Sequence, residues 1–163
     1  MFRMLSYHRR NVSWRFLTLA VVLLAIVGEI NALLILIKEK TTNTLICFGS
    51  NSCETVLSSS YAYVLGVPVV WLGILFYLAV FMLGCVALAR HGGTWTKALA
   101  GVSFVGFLFS LYLFAIQWFV LGAFCYYCIV SFVDALVIFG IMVFLLIKNS
   151  GPFFVSDKNK AGT

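Results

Sequence analysis

Four stretches of this chain, Phe16–Ile37, Val69–Ala89, Ala98–Leu121 and Phe124–Ile147, each run for twenty residues or more without a Lys or Arg. A helix rises about 1.5 Å per residue and the hydrocarbon core of a bilayer is about 30 Å thick, so each stretch is long enough to cross it. Inside lipid no water is present to satisfy backbone N–H and C=O groups, which makes the helix the state open to such segments. With 63% hydrophobic and 10% charged residues over 163 positions, little chain remains for a water-soluble domain. The reading is an all-α integral membrane protein: one domain over residues 1–163, folded as a four-transmembrane-helix bundle. The first stretch is too long for a signal peptide and lacks its small-residue cleavage pattern, so it is read as a retained span.

The formal charge of +6 invites a nucleic-acid reading until the basic residues are placed. Arg3, Arg9, Arg10 and Arg15 precede the first span, Arg90 and Lys97 fall between the second and third, and Lys148, Lys158 and Lys160 follow the fourth. Only Lys38 and Lys40 fall between spans one and two. That asymmetry is the positive-inside pattern and predicts cytoplasmic termini with an extracytoplasmic first loop. No nucleic-acid partner is needed to account for it. His8 and His91 stand alone in basic segments and build no metal site.

The first connection, residues 38–68, is long. Thr41–Ser52 is polar, and apolar residues return among serines over Cys53–Leu65. A short interfacial helix beginning near Cys53, capped by Asn51 or Ser52, is expected there, with Val56, Leu57, Tyr61 and Val64 facing lipid or the bundle mouth. Pro68 suits the first turn of span two, Gly122–Ala123 a minimal turn before span four, and Gly151–Pro152 the stop after it.

Cysteine placement carries the chemistry. Cys47 and Cys53 lie in the long connection, Cys125 and Cys128 form C-Y-Y-C at the head of the fourth span, and Cys85 lies inside the second, where a small buried hydrophobe is the expected role. Counting crossings puts both pairs on the side opposite the basic loops, a compartment in which disulfides persist. Residues three apart on a helix share a face, so Cys125 and Cys128 can bridge, and the unpaired N–H groups of a helix's first turn favour a thiolate. Two readings stand at this point: a stapled loop with a C-Y-Y-C that merely packs, or thiol-disulfide exchange between two pairs. Cys128 lies at the outer edge of the hydrocarbon, where it can meet a lipid-soluble molecule. Glu29 and Asp134 are acids at membrane depth, open either to proton relay or to a neutral hydrogen bond with a Ser or Tyr on a neighbouring helix. Trp71, Phe76, Tyr77, Tyr112, Trp118 and Phe132 are candidate walls for a flat aromatic ligand.

The combination of Cys47-x5-Cys53, Ser59 six residues on, Gly66-Val67-Pro68 at the opening of span two and Phe-Cys-Tyr-Tyr-Cys at span four resembles the vitamin K epoxide reductase family over nearly the whole chain. The resemblance implies a four-helix bundle around a quinone of ubiquinone, menaquinone or vitamin K type, with no metal. It further implies Cys47–Cys53 as the shuttle pair, Cys125–Cys128 as the active-site pair and Ser59 as the family's loop serine. Vertebrate epoxide-reducing members carry a polar Asn and a Tyr where this chain has Val69 and Phe132. Those two, with Cys128 and Ser59, are the expected quinone contacts. The chain therefore looks like a bacterial-type thiol:quinone oxidoreductase of the inner membrane, its active site facing the periplasm. Its electrons are expected to come from a DsbA-like thioredoxin-fold partner, which must act in trans because the chain ends at Thr163. A vitamin K epoxide or quinone reductase of the endoplasmic reticulum and a non-enzymatic, disulfide-stapled scaffold are the alternatives.

Overall fold

The computed structural model describes residues 2–40, 56, 59–64, 66–90, 93–122 and 124–149. Cys47, Cys53, the proposed caps Asn51 and Ser52, Leu57, His91, Ala123 and Gly151–Pro152 lie outside the described residues. Four helices account for almost everything described: α1 (Phe2–Lys40), α2 (Val69–Arg90), α3 (Gly93–Ile116) and α4 (Tyr126–Asn149). All four contain stretches long and apolar enough to cross a membrane: Trp14–Ile37, Val69–Arg90, Thr94–Leu121 and Tyr126–Lys148.

The helices differ from the sequence reading at their ends. Helix α1 begins some turns before Phe16, because Phe2–Arg15 contains no Gly or Pro to interrupt it. The third span starts near Thr94 rather than Ala98. Helix α4 starts at Tyr126, two residues later than expected, since Gly122 leaves the preceding turn in a left-handed conformation (φ 57°) and the chain must recover before winding again.

Between α1 and α2 the described residues hold a 3-10 turn, Ser60–Ala62, and a two-residue-per-strand hairpin, β1 (Tyr63–Val64) against β2 (Val67–Pro68), pairing Tyr63 with Pro68 and Val64 with Val67. Gly66 at φ +82° makes the turn possible. Pro68 therefore closes β2 and sits just ahead of α2, not inside its first turn. Strands of two residues leave no alternation to read from sequence.

Small residues let the helices approach. A Cβ on Gly28 of α1 would run into the ring of Tyr77 on α2, and one on Gly84 would press on Val22. The core formed this way contains Val21, Ala25, Tyr77, Val80, Leu99, Ile138, Met142 and Leu145. Two polar side chains, those of Asn31 and Tyr77, are bonded across helices. Asn31 of α1 donates through Nδ2 to the Tyr127 carbonyl (3.0 Å) and to Ser131 Oγ (2.8 Å), and the Tyr77 hydroxyl donates to the Ser131 carbonyl (3.2 Å). These bonds tie α1 and α2 to the first turns of α4.

Candidate active site

The turn between α3 and α4 is built from an irregularity. After Ile116 the helix widens into a π turn, Gln117–Leu121, which ends at the left-handed Gly122. Widened turns of this kind recur at functional sites because they turn a side chain away from its regular face. Here that side chain is Gln117, 4% exposed, whose Oε1 accepts a hydrogen bond from the backbone N–H of Cys125 at 3.1 Å.

Cys125 is the N-cap of α4: its carbonyl accepts the first helical bond, from Ile129 N at 3.0 Å, and the helix proper starts one residue later. Cys128 is then the third helical residue. Both thiols stand at the start of the helix, where it presents the positive end of its dipole. The two sulfurs differ in access. Cys125 is 0% exposed, packed with Val56 of the connecting segment and with Leu121 and Tyr127. Cys128 is half-buried and lies on the wall of a cavity.

That cavity has a volume of about 530 Å³ and draws its lining from all four helices and the hairpin segment. Along α3 it extends from Gln117 to Gly101, roughly 24 Å of helix at 1.5 Å per residue. Its wall is predominantly apolar, with Phe76, Phe109, Phe114 and Phe132 supplying rings. Phe132 stacks on Phe114 with centroids 4.7 Å apart and planes 12° from parallel. A flat, largely apolar ring system with a few polar atoms suits such a space.

The residues singled out in the sequence divide as follows. Cys128, Ser59, Val69 and Phe132 all line the cavity, brought together from α4, the connecting segment and α2. The Ser59 hydroxyl donates to the Val56 carbonyl at 2.7 Å, so it pins the backbone that buries Cys125 and can only accept a further bond from the cavity. Of the aromatics, Phe76, Tyr77 and Phe132 are on the wall, whereas Trp71, Tyr112 and Trp118 are 45%, 55% and 57% exposed and point outward, as amphipathic rings do at membrane interfaces. Val56 is buried, not turned to lipid. Cys85, expected inside, is exposed on the outer face of α2, because that helix presents Tyr77, Val80, Gly84 and Ala87 to the core instead. Asp134 is buried facing the Tyr77 hydroxyl, and its Oδ2 has no partner among the described residues. The same holds for Oε2 of Glu29.

Two residues were not picked out from sequence. Gln117 is an amide within an apolar span, eight residues before Cys125, and Asn31 is another in the first span. A polar residue at membrane depth is itself a signal, and both could have been flagged on that ground.

Comparison with known proteins agrees with this architecture. No curated protein matches the chain well enough to count as a relative. The model of the vitamin K epoxide reductase family matches residues 19–143, a stretch that takes in most of α1, both cysteine pairs, the hairpin and the greater part of α4. That match covers more than half of the sequence, and the chain belongs to the vitamin K epoxide reductase family.

Proposed function

We propose that this multi-pass membrane oxidoreductase is a thiol:quinone oxidoreductase that reoxidises a DsbA-like thioredoxin-fold partner and passes the electrons to a membrane quinone. The observation that carries the reading is the position of Cys128, third residue of α4, on the wall of a cavity of about 530 Å³ lined by rings and aliphatic side chains.

In this reading a thiolate of the reduced partner attacks the Cys47–Cys53 disulfide at Cys47, forming a mixed disulfide that the partner's second thiol resolves. Cys53 thiolate then attacks Cys125 and opens the Cys125–Cys128 disulfide, and Cys47 thiolate resolves the resulting Cys53–Cys125 mixed disulfide, restoring Cys47–Cys53 and leaving Cys125 and Cys128 both reduced. Val56, which packs on Cys125, stands three residues after Cys53 in the sequence. Cys128 is left as the thiolate facing the cavity, and its electrons leave there. When bound, a quinone supplies a two-electron, two-proton acceptor. A DsbA-like partner with a potential near −120 mV is too oxidising to be reoxidised by glutathione, which gives a lipid-soluble acceptor its purpose.

The charge distribution favours an orientation with both pairs outside the cytoplasm, at a bacterial inner membrane. Epoxide reduction is the weaker reading, because Val69 and Phe132 both line the cavity and offer no hydrogen bond where the vertebrate enzymes have Asn and Tyr. The test is rapid mixing of purified protein, the reduced partner and a soluble ubiquinone or menaquinone, following quinone absorbance. Wild type is expected to turn over and Cys128→Ser to fall to the uncatalysed rate. Absence of turnover by wild type with either quinone would refute the proposal.

A further inference from the structure

We propose that Gln117 donates a hydrogen bond from its amide to a quinone carbonyl oxygen beside Cys128, while its other end holds Cys125 at the head of α4. This rests on the thiol:quinone reading above.

The orientation of the amide is decided by its partner. The backbone N–H of Cys125 can only donate, so the atom 3.1 Å from it must be the amide oxygen, and Nε2 with its two hydrogens points elsewhere. Nε2 makes no hydrogen bond to a described residue, yet it is not among the sealed, unpartnered polar atoms of the interior. Gln117 lines the cavity together with Cys128. Two hydroxyls on the same wall are already committed: Tyr77 donates to the Ser131 carbonyl and Ser59 to the Val56 carbonyl. Gln117 thus brings two N–H groups with no partner among the described residues to an apolar cavity that Cys128 also lines, its amide held by the same bond that holds Cys125.

A donor placed this way acts on the charge that develops during reduction. The Cys125 and Cys128 thiols together lose two electrons and two protons as their S–S bond forms. The two quinone oxygens gain those electrons and, in net, two protons. Negative charge builds on the carbonyl oxygen before its proton arrives, and a preorganised amide N–H stabilises it there without having to be drawn out of water. The same donor would select ligands that carry a carbonyl at that point over hydrocarbons of equal size.

The test uses the full chain in detergent, with its thiols reduced and excess reductant removed, mixed with a short-chain ubiquinone at pH 8. Gln117→Glu keeps an oxygen for the Cys125 N–H and removes both amide hydrogens; Gln117→Met removes both functions at similar volume. Quinone reduction by Gln117→Glu is expected to fall about 10- to 100-fold, the range for loss of one preorganised donor. Oxidation of the same thiols by a small aromatic disulfide should stay within about twofold of wild type, because the Cys125 backbone is still held. Gln117→Met should slow both. Equal quinone rates in wild type and Gln117→Glu would overturn the proposal, and so would equal loss of both reactions in Gln117→Glu, the mark of a purely structural role. Should neither variant fold, the infrared carbonyl band of ubiquinone bound to wild type decides: a downshift from its position in detergent alone supports the bond, and no shift refutes it. A wild type that does not reduce quinone at all would remove the parent reading, a result separable from every one of these.

Discussion

Helix α2 has two seams, and they use small residues to opposite ends. Against α1, Gly28 and Gly84 are filled from across the interface by the Tyr77 ring and by Val22, so the seam is shut. Against α3, Gly73 and Gly101 have nothing within 4 Å of where a Cβ would stand, and both line the cavity. Gly106, which also lines the cavity, is filled by the Phe76 ring. The same residue type therefore brings two helices together on one side and keeps space between two helices on the other. What differs is whether a bulky side chain on the neighbour is aimed at the gap. In a membrane this distinction matters more than in water, since no hydrophobic pressure collapses the vacant side and lipid or an apolar ligand can fill it.

The comparison can be broken at either seam. The largest effect should come from Gly28→Val, which forces a branched side chain into a Tyr77 ring that is only 3% exposed. Overpacking of this kind costs about 1–3 kcal/mol, and thermal unfolding in detergent should show a clear fall in Tm. Asn31→Leu should cost roughly 0.5–2 kcal/mol by the same measurement, because it deletes the donor to both Tyr127 O and Ser131 Oγ that ties α1 to α4. Gly73→Ala should be nearly silent, within about 0.5 kcal/mol, since the added methyl enters open space. A fall in Tm for Gly73→Ala as large as that for Gly28→Val would mean that the two seams are packed alike.

How far the sequence spoke for itself follows the same division between local and tertiary signals. Span number and approximate position are written in uninterrupted apolar runs, and the run from Val69 is recovered at its first residue. The C-Y-Y-C at the head of the last helix and the family resemblance are equally local. Cys128, Ser59, Val69 and Phe132 share one cavity, but nothing in their spacing alone says so; the resemblance supplied that grouping. What escaped was decided by contact. The hairpin at Tyr63–Pro68 is too short to have a period, the π turn at Gln117 depends on how Gly122 ends the helix, and the outward turn of Cys85 depends on which face of α2 Gly28 selects by admitting Tyr77. The burial of Cys125 under Val56 joins residues 69 positions apart in the chain, beyond the reach of any window. Cys47 and Cys53 lie outside the described residues, so their part in the relay stands on sequence and resemblance.

The most direct test of the central claim, that electrons leave Cys128 into a quinone held between α2 and α3, is a single-turnover count. Fully reduced protein with Cys47 and Cys53 changed to Ser, so that no exchange can move the disulfide, is mixed with one equivalent of ubiquinone, quinol is measured by absorbance, and the disulfide is mapped by mass spectrometry, with and without Gly73→Phe, which places a ring in the cavity. The account predicts one quinol and one Cys125–Cys128 disulfide per chain when Gly73 is kept, with the rate reduced at least about tenfold in Gly73→Phe while its thiols stay oxidisable by a small disulfide. Quinol formation at an unchanged rate in Gly73→Phe, or without a Cys125–Cys128 disulfide, would contradict it.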